Sequence, residues 1–149
     1  MNDLAVRLDG AELGDQHTCR GAGLSPRIRL GSLDPSVRSL AVVVIDPFEP
    51  GCSFALWFAA GIPPVPLIPP GLPPDGDGPI PVIHGTSDGG MRGWQPPCPR
   101  PGDPPHQLTV KVYALDNVPG LSPGFTRADL NEAMRGHILQ FGSTIALVR

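Results

Sequence analysis

The sequence predicts a mainly β domain, and three observations carry that prediction. Apolar runs of strand length, several of them β-branched, recur along the chain. Proline and glycine close most of them. Only one segment, late in the chain, has helical periodicity. A length of 149 residues sets one domain over 1–149, with roughly 70% of the unfolded surface buried around a single core.

The elements follow in order. Residues 1–13 alternate weakly at Leu4, Val6 and Leu8 and predict an edge strand. Ser25–Leu30 alternates apolar and basic residues, as a half-buried strand does, and Asp34-Pro35 marks a turn. Ser39–Ile45 is a continuous, largely β-branched run, the pattern of a strand buried on both faces. It stops at Asp46-Pro47, because proline has no N–H for the ladder. Phe54–Ala60 is a further run of strand length. From Gly61 to Pro81 nine of 21 residues are proline, a density that no helix or central strand survives. The segment 61–83 therefore reads as a Pro-rich loop of polyproline character, either a connector or a docking segment for an aromatic-lined groove. Residues 85–105 are again turn-rich. Leu108–Leu115 alternates cleanly and predicts a strand with one wet face.

The helix comes next. Thr126 is its N-cap, with Asp129 completing a near capping box and Phe125 and Leu130 at the positions of a hydrophobic staple. Leu130, Ala133, Met134, Ile138 and Phe141 form one stripe at helical spacing, and Gly142 is the expected stop. Thr144–Val148 is the final strand. No internal repeat is present.

Composition narrows the function classes. Eleven Lys+Arg against 14 Asp+Glu give a net charge of -3, with no basic excess to neutralise nucleic-acid phosphates. Pro 21 and Gly 19 resemble a disordered composition, but a hydrophobic content of 40% in concentrated runs argues for a folded core. The N-terminal residues lack the basic and apolar regions of a secretory signal, and no stretch of 18 apolar residues predicts a membrane span. Cys19, Cys52 and Cys98 are odd in number, distant and without CxxC spacing. They predict unpaired thiols in a reducing cytoplasm and no zinc site. His17, His84, His106 and His137 have no paired ligand spacing, so no metal and no cofactor are expected. The Gly-rich loop after His84 lacks the Gly-Lys-Ser/Thr ending of a phosphate loop.

Several segments in order then resemble the phosphatidylethanolamine-binding protein (PEBP) family in its short bacterial and archaeal, Raf kinase inhibitor-like form. Thr18-Cys19-Arg20-Gly21 and Leu24-Ser25-Pro26 are similar to the family's Thr-Cys-Asp-Gly and Ser-Pro-Pro-Leu. Asp46-Pro47-Phe48-Glu49-Pro50 looks like its Asp-Pro-Asp-Ala-Pro, and Leu56-Trp57 and Ile62-Pro63 follow in the places of His-Trp-Val and Asn-Ile-Pro. Pro97-Cys98-Pro99-Arg100-Pro101-Gly102-Asp103-Pro104-Pro105-His106 is the most specific match, to Gly-Pro-Cys-Pro-Pro-Pro-Gly-Asp-Pro-Pro-His-Arg-Tyr. Tyr113–Asp116 and Ala133–Leu139 match a Tyr-Ala-Leu-Asp strand and an Ala-Met-x-Gly-His helix. The resemblance implies a Greek-key β-sandwich-like fold with a large central sheet, a small sheet and one helix near the C-terminus. It also implies homodimer pairing and room for cis prolines in the pocket loops.

It further implies a small anion pocket at one end of the sheet, and here the residues depart from the motif. Asp46 and His106 are retained. Phe48 replaces the second aspartate, Leu56 the second histidine, Gln107-Leu108 the Arg-Tyr pair, and Pro96 the glycine whose N–H would donate. Each change removes a polar group, so Phe48, Leu56 and Leu108 make the pocket more apolar and a phosphate less well compensated there. Pro97 and Cys98 belong to the same loop, and Trp94 stands where the family has a tyrosine at the pocket mouth. Cys98 reads as a small buried residue or, with His106 eight residues on, as a nucleophile. His137, beside the apolar stripe, reads as structural.

Two function classes stand on these residues. One is a small-ligand-binding module that regulates a partner protein. The other is a cofactor-independent enzyme with Asp46 and His106 as its acid/base pair, which cyclises, isomerises or dimerises a hydrophobic molecule in a biosynthetic pathway. In both, the partner is a small molecule, without nucleic acid or membrane insertion. A purely structural role for Asp46 and His106 is the bland alternative.

Overall fold

The computed structural model describes residues 2–48 and 53–149. The strands are β1 (Asn2–Asp3), β2 (Val6–Arg7), β3 (Ile28–Leu30), β4 (Ser39–Asp46), β5 (Phe54–Ile62), β6 (Leu67–Ile68), β7 (Ile83–His84), β8 (His106–Leu115) and β9 (Ile138–Val148). Among the described residues a single 3-10 turn covers Asp15–His17, and one helix, α1, covers Arg127–Met134. The large sheet runs β1-β9-β8-β4-β5-β7 and the small one β2-β3-β6. Every described pairing between strands is antiparallel except that of β1 with β9. The expected large sheet, small sheet and single helix are therefore present.

The central strand shows why the sequence folds this way. Successive strand residues face opposite sides. In β4, Leu40, Val42 and Val44 enter one core cluster, with the small sheet and the loops above it. Ala41 and Val43 enter a second, with Phe125, Leu130 and Met134 of the helical segment. A strand covered on both sides has no position for a polar residue, which is the origin of the uninterrupted run. In β8 the buried Leu108, Val110, Val112 and Ala114 alternate with exposed Gln107 and half-buried Thr109 and Lys111, giving the expected wetter face.

The helix start is built as expected. The Thr126 side chain accepts from the Asp129 N–H, and the Asp129 carboxylate accepts from the Thr126 N–H. Its end is a correction. The helix stops at Met134, and Gly136, at φ 78, turns the chain away. Ile138, Phe141 and Gly142 belong to β9. The reason is tertiary: β9 finds a ladder along the whole of β8, with Phe141 opposite Tyr113 and Gly142 opposite Val112. A stripe at helical spacing continued by chance into strand residues.

The N-terminal segment also divides. β1 joins the large sheet and β2 the small one, so residues 2–7 bridge the two layers where a single edge strand was expected. The Pro-rich loop is ordered by this chain's own core. Ile68 and Leu72 are buried, and Ser25 receives the N–H groups of Gly71 and Leu72. Among the described residues no peptide bond is cis, so the expected cis prolines are absent there.

Gly142 has a role that its sequence context hides. A Cβ on it would lie 1.8 Å from the Leu4 carbonyl oxygen, and Leu4 N–H itself bonds to Phe141 at 2.9 Å. Gly142→Ala is therefore expected to push the N-terminal segment off β9 and to cost about 2–3 kcal/mol, read from the urea midpoint.

Candidate functional site

β4 ends and β8 begins at the same end of the large sheet, because the two strands are antiparallel neighbours with Ile45 opposite Thr109. Pro47 ends β4 by removing a donor, which leaves Asp46 as its last residue. His106 is the first residue of β8. The topology thus brings together two side chains 60 positions apart. His106 Nδ1 lies 2.7 Å from Asp46 Oδ2, and both residues are buried, 2% and 3% exposed. The other Asp46 oxygen accepts the Phe48 N–H at 3.0 Å. The turn this makes lays the Phe48 ring over the imidazole, with ring centroids 4.0 Å apart and planes inclined by 29°.

The second imidazole nitrogen is also engaged. His106 Nε2 lies 3.0 Å from Asp103 Oδ2. That carboxylate oxygen accepts the Arg100 N–H at 3.1 Å and faces Arg100 Nε at 3.5 Å. A carboxylate on each side of the ring asks both nitrogens to carry hydrogen, which is the imidazolium form. Burial works against that charge. The hydrogen bonds to Asp46 and Asp103, with the attraction of both carboxylates, outweigh it and raise the His106 pKa above its ordinary 6.5. The same hydrogen bond, ahead of the Arg100 contacts, holds the Asp103 pKa below the ordinary carboxylate value.

A cleft of about 180 Å³ opens beside this triad, bounded by Asp46, Phe54, Leu56, Gln95 and the Pro96–Cys98 segment. Its loop wall is held by the Gln95 N–H on the Leu56 carbonyl and by the Cys19 N–H on the Pro97 carbonyl. A disulfide between Cys19 and Cys98, with Cα atoms 5.3 Å apart, adds a covalent tie. This overturns the expectation of unpaired thiols. Spacing along the chain carried no sign of the pairing, which the fold creates by laying the 18–21 loop against the 96–98 loop. A half-cystine has no thiolate to offer, so Cys98 is no nucleophile in this state. Cys52, Glu49 and Pro50 lie outside the described residues.

The structure sorts the sequence candidates. Asp46, Leu56, Pro97 and Cys98 border the cleft, and Phe48 covers His106 beside it. His106, buried behind Asp46 and Phe48, does not itself border the cleft, nor do Leu108 and Trp94. Leu108 is fully buried in the core between the sheets. Trp94 is buried edge-on to Trp57 at 5.8 Å and donates its indole N–H to the His17 carbonyl. Sequence reasoning missed Asp103, Phe54 and Gln95. Asp103 stood inside the most specific motif, three residues before His106, and that spacing was its available signal.

The other histidines serve the fold. His84 is buried and accepts the Trp57 indole N–H on Nδ1 at 3.0 Å, so Nε2 carries the hydrogen and donates to the Pro73 carbonyl at 2.9 Å. Burial lowers its pKa, outweighing the Pro73 bond and the Asp75 charge. His17 donates from Nδ1 to the Leu24 carbonyl, and His137 pairs with Asp116 at 2.7 Å near the helix end. Among the described residues no group of three or more His, Cys, Asp or Glu side chains is placed to hold a metal. No described helix is long and apolar enough to cross a membrane.

A two-layer β fold with one capped helix, and a small cleft at the sheet end beside a buried Asp–His pair, defines the class. The chain belongs to the phosphatidylethanolamine-binding protein family, whose model matches residues 5–149. It is 41% identical over 134 residues to a UPF0098 protein of Pyrococcus horikoshii, covering 89% of this chain and 68% of that relative. Among solved structures it is similar to a PEBP homologue of Chlamydia trachomatis, with TM-score 0.86, 26% identity and coverage of 100% and 99% of the two chains. Escherichia coli YbcL, a member of the mammalian PEBP family, matches with TM-score 0.84 and 25% identity over 99% and 98%.

Two measurements follow. The buried histidines titrate in opposite directions. His106, raised, contributes stability that is complete below pH 6.5 and fades as pH rises through its folded value. His84, lowered, costs stability as pH falls from 6.5 toward its folded value, because the unfolded chain takes up a proton that the folded one refuses. Histidine ring NMR against pH is expected to show His106 titrating above and His84 below 6.5, with Asp46→Asn moving His106 downward. Separately, the disulfide closes a loop of sequence separation 79, and the Cys19→Ser/Cys98→Ser variant is expected to lose about 4 kcal/mol in denaturant titration.

Proposed function

We propose that this chain is one PEBP-like domain over 1–149 that binds a small ligand in the Asp46 cleft, with its recognition turned away from phosphate. The observation that carries this reading is the balance of donors and acceptors around the cleft. Pro96 and Pro97 have no N–H to offer, the Gln95 N–H is spent on Leu56, and the Leu56 side chain contributes only carbon, which leaves the Cys98 N–H and the Gln95 side-chain amide as the donors on this wall. Asp46 supplies a carboxylate, and the one nearby cation, His106, already faces two carboxylates. A phosphate would lose water there and meet the Asp46 carboxylate and apolar walls, with few donors to compensate it. A ligand with an apolar body and a hydrogen-bond-donating or cationic head fits the same walls, its head on Asp46 and its body on Leu56 and Phe54.

The enzyme alternative draws no support from this geometry. Acid/base work would need His106 to exchange a proton with a substrate, and both of its ring nitrogens already face carboxylates of the protein. The expectation of a cytoplasmic location rested on the N-terminal residues and on unpaired thiols, and the Cys19–Cys98 disulfide removes the second ground. Such bonds persist in oxidising compartments and in the cytoplasm of hyperthermophiles.

The test is an amide NMR titration with matched probes: hexan-1-ol and hexylamine against hexanoate and phosphoethanolamine. Saturable shifts at Asp46, Leu56 and Cys98 are expected with the alcohol or amine alone. Binding of hexanoate or phosphoethanolamine at those residues, with none of the alcohol or amine, would overturn the reading.

A further inference from the structure

The Cys19–Cys98 disulfide joins two loops and no strands. Both half-cystines are exposed, and Cys98 borders the Asp46 cleft. Among the described residues, neither apolar core cluster contains either cysteine. An exposed disulfide is open to attack by a thiolate from solvent, whereas one sealed in a core is shielded from it.

The two loops depend on the bond unequally. The 15–21 turn is held without it. The Thr18 N–H and hydroxyl both bond to the Asp15 carbonyl, the Gly21 N–H bonds to the Thr18 carbonyl, and the His17 carbonyl accepts the Trp94 indole N–H. Residues 96–102 are the opposite case. Among the described residues they make one hydrogen bond to a distant part of the chain, in which the Pro97 carbonyl accepts the Cys19 N–H at 3.1 Å. Their other bonds, between Arg100 and Asp103, stay inside the loop. Four of these seven residues are proline, so the stretch is stiff and moves as a piece. Its upstream anchor is Gln95 on Leu56, and its downstream anchor is Asp103 on His106. Cutting the disulfide therefore leaves this wall of the cleft tethered at its two ends and by one main-chain bond.

We propose that the Cys19–Cys98 bond is a redox gate on the Asp46 cleft, which fixes the binding wall when oxidised and frees it when cut by a dithiol reductant. The gate acts through that cleft, and so rests on its reading as a ligand site. In the exchange a thiolate of the reductant attacks one cysteine sulfur, and the Cys19–Cys98 bond breaks as a mixed disulfide forms. The second thiol of the reductant then displaces that linkage. The reductant leaves as its own disulfide, oxidised by two electrons. Cys19 and Cys98 hold those electrons as thiols, after taking up the two protons that the reductant gave up. The freed wall samples positions away from Leu56 and Asp46, and the need to order it again opposes ligand binding.

The experiment uses the full labelled chain carrying Cys52→Ser, so that Cys19 and Cys98 are its only cysteines. Dithiothreitol is added without denaturant, free thiols are counted, and the backbone amides of both forms are followed by NMR relaxation and by titration with hexylamine and hexan-1-ol. Reduction is expected to release two thiols and to leave the amide signals of β4, β5, β8 and β9 in place. The order parameters of Cys98, Arg100 and Gly102 are expected to fall below about 0.6. Binding of hexylamine or hexan-1-ol is expected to weaken about tenfold, in the reduced form and in Cys19→Ser/Cys98→Ser alike, and reoxidation of the reduced form to restore it. A bond that dithiothreitol leaves intact, loss of the whole spectrum on reduction, unchanged order parameters at 98–102, or equal affinity in the two forms would overturn the gate and leave the reading of the Asp46 cleft standing. A loosened wall with no binding of either compound to the oxidised form would overturn both.

Discussion

The imidazole of His106, closed between Asp46 and Asp103, is the interaction on which one end of this molecule depends. It joins the last residue of one central strand, the first residue of the next, and the loop between the disulfide and that strand. The charged form of this buried ring is favoured because each of its nitrogens meets a carboxylate, and either carboxylate would be costly to bury without a partner. Phe48 covers the ring and narrows the access of water to the pair. The cleft beside this group is therefore set by a charge arrangement already satisfied from within the protein.

The loop that forms the cleft wall has almost no regular structure and six prolines from position 96 to position 105. It is held by point contacts. The disulfide holds it at Cys98, main-chain bonds hold it at Gln95 and Pro97, and Asp103 anchors it to His106. Proline lowers the entropy lost in ordering such a segment, and the cross-link lowers it further by restricting the unfolded chain.

His84 and His106 show how burial alone leaves a histidine's charge undecided. Each is almost completely enclosed. His84 faces one donor, the Trp57 indole, and one acceptor, the Pro73 carbonyl, which together define a neutral ring. His106 faces two carboxylates, which favour the charged form. The partners decide, and those partners come from distant parts of the chain.

Local sequence determined the fold class, the two-sided burial of β4 at Ser39–Ile45, the alternation of β8 and the capped start of α1. Each of these is a periodicity or a hydrogen bond among residues close along the chain. The motifs around Asp46 and His106 likewise marked both residues, because each sits in a short, recognisable run. Tertiary structure decided the rest. It turned Ile138–Gly142 from a helix continuation into a strand, because β8 offered a ladder there. It paired Cys19 with Cys98 across 79 positions, and it placed Asp103 on the second nitrogen of His106. Burial, pairing and charge compensation depend on which surfaces meet, and local pattern does not encode that.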